Sequence, residues 1–105
     1  MNENVFQARI IRRLRRDFPN CVVVKNDPSY IQGIPDLLVL NGPRWAALEV
    51  KRSPREPFQP NQAYYLDLMG RMSYAIVIYP ENEERVFNEL QLALGDRRQT
   101  RLSQS

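Results

Sequence analysis

Asp36, Glu49 and Lys51 are charged residues set into segments that otherwise read as buried strands, Leu37-Leu38-Val39-Leu40 and Ala46-Ala47-Leu48-Glu49-Val50. Charged side chains are almost never fully buried unless they pair or hold a metal. Along a strand, residues i and i+2 share a face, so Glu49 and Lys51 point the same way and Val50 points to the other side. If the two strands pair, Asp36 reaches the same spot. Two carboxylates with an ammonium beside them make a hard-oxygen metal site suited to phosphodiester hydrolysis. A divalent ion there acidifies water and neutralises developing charge. Asp36 and Glu49 would hold it, the Val50 carbonyl could complete the protein ligands, and Lys51 would orient the water or stabilise the anionic transition state.

The elements that must position these groups can be read from periodicity. Residues 3–18 read as a helix, with Phe6, Ile10, Leu14 and Phe18 at i+4 and Pro19-Asn20 ending it. Glu3 and Gln7 fall inside that apolar arc, whereas Arg9, Arg12, Arg13 and Arg16 lie opposite, a face that could meet DNA. Cys21–Val24 is a β-branched strand and Lys25–Ile34 a loop. Leu37–Leu40 and Trp45–Val50 form a hairpin across Asn41-Gly42-Pro43. Ser53–Pro60 holds three prolines and is irregular. A second helix spans Asn61–Met72, its apolar arc carrying Tyr65, Leu66, Met69 and Met72, with Gln62 aimed inward among them. A fourth strand over Ser73–Tyr79 and a third helix over Glu81–Leu94, capped by Gly95, complete the series. The order predicts a small mixed α/β sheet flanked by helices.

Composition limits the chemistry. A chain of 105 residues with 43% hydrophobic and 26% charged residues is one globular domain. No apolar run approaches the ~18–20 residues of a membrane span, and no signal-peptide pattern appears. The chain has no histidine and a single cysteine, Cys21. A Ser-His-Asp triad, a zinc site built on histidine or cysteine, and an intrachain disulfide are thereby excluded. Any metal is a hard cation on oxygen ligands: Mg²⁺, Mn²⁺ or Ca²⁺. Thirteen of the fifteen cations are arginine, and the net charge is +3, which suits a polyanionic partner. Residues 1–95 are expected to form the domain, and residues 96–105 a basic, flexible tail.

Pro35-Asp36 followed by Glu49-Val50-Lys51 resembles the signature of the PD-(D/E)XK nuclease superfamily, whose core runs α-β-β-β-α-β. With Glu3 and Gln7 at the N-terminus, Gly33-Ile34-Pro35-Asp36-Leu37, Arg52 after the lysine and Gln62 opening the next helix, the chain is more closely similar to the VRR-NUC branch. The match covers residues 3 to about 79. The resemblance implies a restriction-endonuclease-like core and a Mg²⁺- or Mn²⁺-dependent deoxyribonuclease. It further implies cleavage of four-way (Holliday) junctions or other branched DNA by a homodimer.

In that frame Asp36, Glu49, Lys51 and Glu3 are the catalytic set. Glu3 serves the metal directly or through water, and Gln62 and Gln7 orient the acids. Arg9, Arg12, Arg13, Arg16, Arg52 and Arg55 are the candidate DNA contacts. The proline-rich Ser53–Pro60 departs from the small residues usual after the lysine. The expected setting is the cytoplasm of a bacterial or phage-infected cell, with no membrane and no small-molecule cofactor. The alternatives are a sequence-specific or nicking restriction-type enzyme and a non-catalytic nucleic-acid-binding module that keeps the fold.

Overall fold

The computed structural model describes residues 1–95, so the expected tail at 96–105 lies outside the described residues. The elements are α1 (Glu3–Asp17), β1 (Val22–Lys25), β2 (Leu37–Asn41), β3 (Arg44–Val50), α2 (Gln62–Met72), β4 (Tyr74–Ile78) and α3 (Glu83–Leu94). A 3₁₀ turn, Pro80–Asn82, precedes α3 and displaces its expected start. Asn82 is the reason: its buried side chain donates to the Val77 carbonyl and accepts from the Tyr79 amide, so the first turn closes on the strand behind it.

The four strands form one mixed sheet in the order β1-β2-β3-β4. β1 and β2 are antiparallel, as are β2 and β3, whereas β4 runs parallel to β3. The hairpin closes on Gly42-Pro43, and Gly42 adopts the positive φ of 62° that such a tight turn needs. The parallel pair requires a crossover, which α2 supplies.

Alternation sorts the strand residues onto two faces. Leu37, Val39, Ala46, Leu48, Val50 and Ile78 point to one side and meet Phe6, Ile10 and Leu14 of α1 and Val86, Phe87, Leu90 and Leu94 of α3. Each of these side chains other than Ala46 contributes about 1.5–3 kcal/mol by leaving water, and together they fix the sheet as a platform. The other face carries Asp36, Leu38, Leu40, Trp45, Ala47, Glu49 and Lys51. Its cover is α2, which buries none of its own residues fully. Met72, expected within the apolar arc, is 65% exposed because it falls in the last turn, past the end of the sheet contact. Val22, Val24 and Leu40 are also exposed, so the β1–β2 end of this face is bare. Among the described residues no helix is long and apolar enough to cross a membrane.

The expected arginine face of α1 is largely not free. Arg13 pairs with Glu83 at 2.8 Å and with Glu84, and stacks 4.1 Å over the Phe87 ring. Arg9 reaches Glu83 at 2.8 Å, and Arg16 pairs with Asp17 at 2.9 Å. The acidic first turn of α3 lies against this face, with a groove of about 490 Å³ along the contact. Arg13 is therefore a clamp between α1 and α3, its guanidinium committed to Glu83 and Glu84. Arg13→Ala is expected to cost roughly 2–3 kcal/mol in urea denaturation, since it strips a cation from the buried Glu83. Arg12→Ala, at an exposed position, should stay within about 0.5 kcal/mol of wild type.

Candidate active site

The site forms where β2 begins and β3 ends. Asn26 fixes the entry to β2: its backbone N–H donates to the Asp36 carbonyl at 2.8 Å and its side chain to the Pro35 carbonyl at 2.7 Å. Asp36 Oδ2 accepts the Val50 N–H at 2.8 Å, which ties the aspartate to β3 and pins the backbone at Val50 beside the acids. Glu49 and Lys51 leave β3 on the same face, as the period of two requires. Both are nearly inaccessible, at 2% and 3% exposure.

Gln62, first residue of α2, bridges them. Its Nε2 donates to Glu49 Oε2 at 2.8 Å, and its Oε1 accepts from Lys51 Nζ at 2.9 Å and from the Gln59 N–H at 2.7 Å. One amide thus fixes the acid and the ammonium together, and α2 is held in register with β3 by the same contact. The approach of the helix to the Asp36 loop is close. A Cβ on Gly33, whose φ is +91°, would sit 2.6 Å from Asn61 and 2.7 Å from the Pro60 carbonyl.

Electrostatics define what the pair of acids lacks. Burial first, and then the charge of Asp36, push the Glu49 carboxyl up to about 7 despite the Lys51 ammonium 3.6 Å away. Burial also raises Asp36. Glu49 Oε1 is buried with no hydrogen-bond partner of good geometry among the described residues, although Asp36 lies close enough for its backbone and carboxyl to act on the Glu49 carboxyl. A buried, unpartnered carboxylate oxygen costs about 1–3 kcal/mol or more, so such an atom calls for a ligand. Two crowded acids and one orphaned oxygen fit a divalent cation. Mg²⁺ is usually held by one or two carboxylates, with water or phosphate completing its shell. Among the described residues no group of three or more acid, histidine or cysteine side chains closes around a metal position; Asp36 and Glu49 are the two acids that could share one.

The remaining expected residues divide. Glu3 lies at the edge of the site, near enough to Glu56, Asp36 and Lys51 for them to act on its carboxyl. Burial, then Glu56, raise it. Gln7, half-buried, makes no hydrogen bond to the cluster among the described residues, because it sits one helical turn, about 6 Å, beyond Glu3. Arg52 and Arg55 are exposed at the rim.

Glu56 was not foreseen. It lies 3.7 Å from Lys51 Nζ and accepts from the Arg52 backbone N–H at 3.0 Å. The Pro57 carbonyl accepts from Lys51 Nζ at 3.3 Å, and the Phe58 ring lies 5.8 Å from the ammonium. The one sequence signal for this contact is the i,i+4 spacing of Arg52 and Glu56 within a segment that has no periodicity of its own.

No family model matches the chain, and no curated protein or solved structure matches it.

Proposed function

We propose that this protein is a metal-dependent, structure-selective DNA endonuclease that hydrolyses phosphodiester bonds, acting as a homodimer on four-way junctions or other branched DNA. The observation that carries the reading is the convergence of Asp36, Glu49 and Lys51 on one sheet face, with Glu49 Oε1 buried and unpartnered. A magnesium or manganese ion held by Asp36 and Glu49 would supply Lewis acidity and neutralise charge on the reacting phosphate. Lys51 puts a fixed positive charge where the pentavalent phosphorus gathers negative charge. Gln62 keeps Lys51 and Glu49 in one geometry, so neither must reorganise during reaction.

Arg52 and Arg55 flank the site, and Arg12 and Arg16 add exposed positive charge on α1. Such contacts to phosphate position the nucleic acid without reading its sequence. One small domain offers little surface for base contacts, which favours recognition by shape. The bare end of the sheet supports the dimer. Val22 pairs with Leu40, and with Val24 they form an uncharged apolar patch, so a twofold axis through it brings no like charges together. The acids lie at the opposite end of that face, away from the patch, so a dimer formed there does not cover them, and two copies match the two equivalent strands of a junction.

The test is a cleavage panel of four-way junction, flap, nicked, single-stranded and linear duplex DNA, with and without Mg²⁺. Cutting of branched substrates that needs the metal is the expected result. Cutting of linear duplex at defined sites would replace the reading with a restriction-type enzyme. Absence of both cutting and any Mg²⁺-linked rise in melting temperature would leave a binding module.

A further inference from the structure

Lys51 has three N–H donors, and the protein faces all of them. Gln62 Oε1 at 2.9 Å and the Pro57 carbonyl at 3.3 Å take two. The remaining direction looks between Glu49 at 3.6 Å and Glu56 at 3.7 Å. With Phe58 alongside, Lys51 is 3% exposed, and its third N–H, enclosed between the two acids, is shut off from an incoming phosphate oxygen. Two of the groups that enclose it, Glu56 and Pro57, and the neighbouring Phe58 belong to the proline-rich Ser53–Pro60.

That segment is anchored at its end, where the Gln59 N–H bonds Gln62 and the Pro60 carbonyl packs on Gly33, and is held lightly from Ser53 to Phe58. Pro54, Arg55, Pro57, Phe58, Gln59 and Pro60 are exposed, and its internal bonds are short-range: Glu56 N–H to Ser53 O at 3.3 Å and Arg55 N–H to Ser53 Oγ at 3.2 Å. At 3.7 Å the Glu56 contact is also longer than the ~2.7–2.9 Å of a strong charge-assisted hydrogen bond. The segment joins α2 at Asn61, whose φ of 69° puts a non-glycine residue in the left-handed region, a place where backbone rotation is already strained.

We propose that Ser53–Pro60 is a strap that closes the site in the free protein. In this state Glu56 occupies the place beside Lys51 that a phosphate group of the DNA takes when the strap swings away about Asn61. The proposal rests on the nuclease reading for the identity of the incoming phosphate. The closure itself rests only on the contacts at Lys51. A carboxylate and a phosphate oxygen compete for one cation, so substrate entry and departure of Glu56 are a single exchange.

The chain has two lysines, and Lys25 is exposed, so amine labelling carries its own reference. Brief acetylation with an N-hydroxysuccinimide ester, read by mass spectrometry without DNA, should modify Lys51 at least about tenfold more slowly than Lys25. Glu56→Ala and the isosteric Glu56→Gln should speed Lys51 labelling several-fold and leave Lys25 unchanged. Far-ultraviolet circular dichroism verifies the fold of each variant. Equal labelling of the two lysines in the wild type, or no acceleration in a folded Glu56→Gln, would overturn the strap.

In Mg²⁺-dependent cleavage of a branched DNA, Glu56→Gln should lower KM several-fold without lowering kcat. A fall in kcat would instead make Glu56 part of the reacting machinery and overturn the proposal. A wild-type protein that cuts nothing strikes the nuclease reading, and the labelling experiment still decides the strap.

Discussion

Glu49→Gln should stop cleavage and, at the same time, make the metal-free protein more stable above neutral pH. The rate loss, expected at about 10³-fold or more, follows from removing one of the two acids that would hold the cation. The stability gain follows from the state of that acid. In the unfolded chain Glu49 loses its proton near 4.5, and in the fold it keeps the proton up to about 7. Between those values the folded state binds more protons than the unfolded state. Glu49 therefore contributes stability that is fully present below pH 4.5 and is lost as pH rises through 7.

The difference sets an upper bound of about 3 kcal/mol. Glutamine keeps the shape and carries no charge, so the variant should not show this loss. Urea denaturation from pH 4.5 to 8.5 without divalent ions measures it. The wild type should weaken across this range while the variant's slope is flatter, the curves meeting at low pH. Added Mg²⁺ should reverse the order at pH 8, raising the melting temperature of the wild type but not of Glu49→Gln. Parallel pH curves would show that the Glu49 carboxyl is not strained by burial beside Asp36.

Lys51→Met tests the other half of the site. Methionine is of similar length, unbranched and apolar, so it can fill the space under Pro57 and Phe58. The cleavage rate should fall by about 10²–10³-fold, the usual range for losing one preorganised charge at the reacting group. The Mg²⁺-linked rise in melting temperature should survive, because Asp36 and Glu49 remain. In the metal-free protein above pH 7, stability should drop, since Glu49 and Glu56 lose their shared cation. Loss of the Mg²⁺ response in this variant would assign Lys51 to holding the acids in place and not to the transition state.

Particular residues show why some of this arrangement is legible in the sequence and some is not. Asp36, Glu49 and Lys51 stand out because a strand's period of two gives each residue a face, and charge inside an apolar strand contradicts its surroundings. Gln62 is found by helical phase together with its place at the start of α2. Gln7 passes the same phase test and does not join the hydrogen bonds, because phase gives direction around an axis and says nothing of distance along it. The pairing of Arg13 with Glu83 joins residues 70 positions apart, and no local pattern announces it. Glu56 lies in a segment without periodicity, where a side chain has no assignable face until the neighbouring elements are placed. The element order was readable throughout because its signals are local: β-branched runs, the Gly42-Pro43 turn and the i+4 apolar spacings. Boundaries moved by one to two residues where caps and turns, such as Asn82, decide them.

The parallel pairing of β3 with β4 also has a consequence for timing. The two acids come from a hairpin whose strands are adjacent in sequence, a contact that forms on the order of 1–10 µs in isolated hairpins. Glu56 and Pro57 lie four to six residues from Arg52 and Lys51 and can close locally, whereas β4 reaches β3 only through the crossover, which is slower because its loop must close before any contact rewards it. Seating of β4 beside β3 then completes the sheet that carries the proposed site.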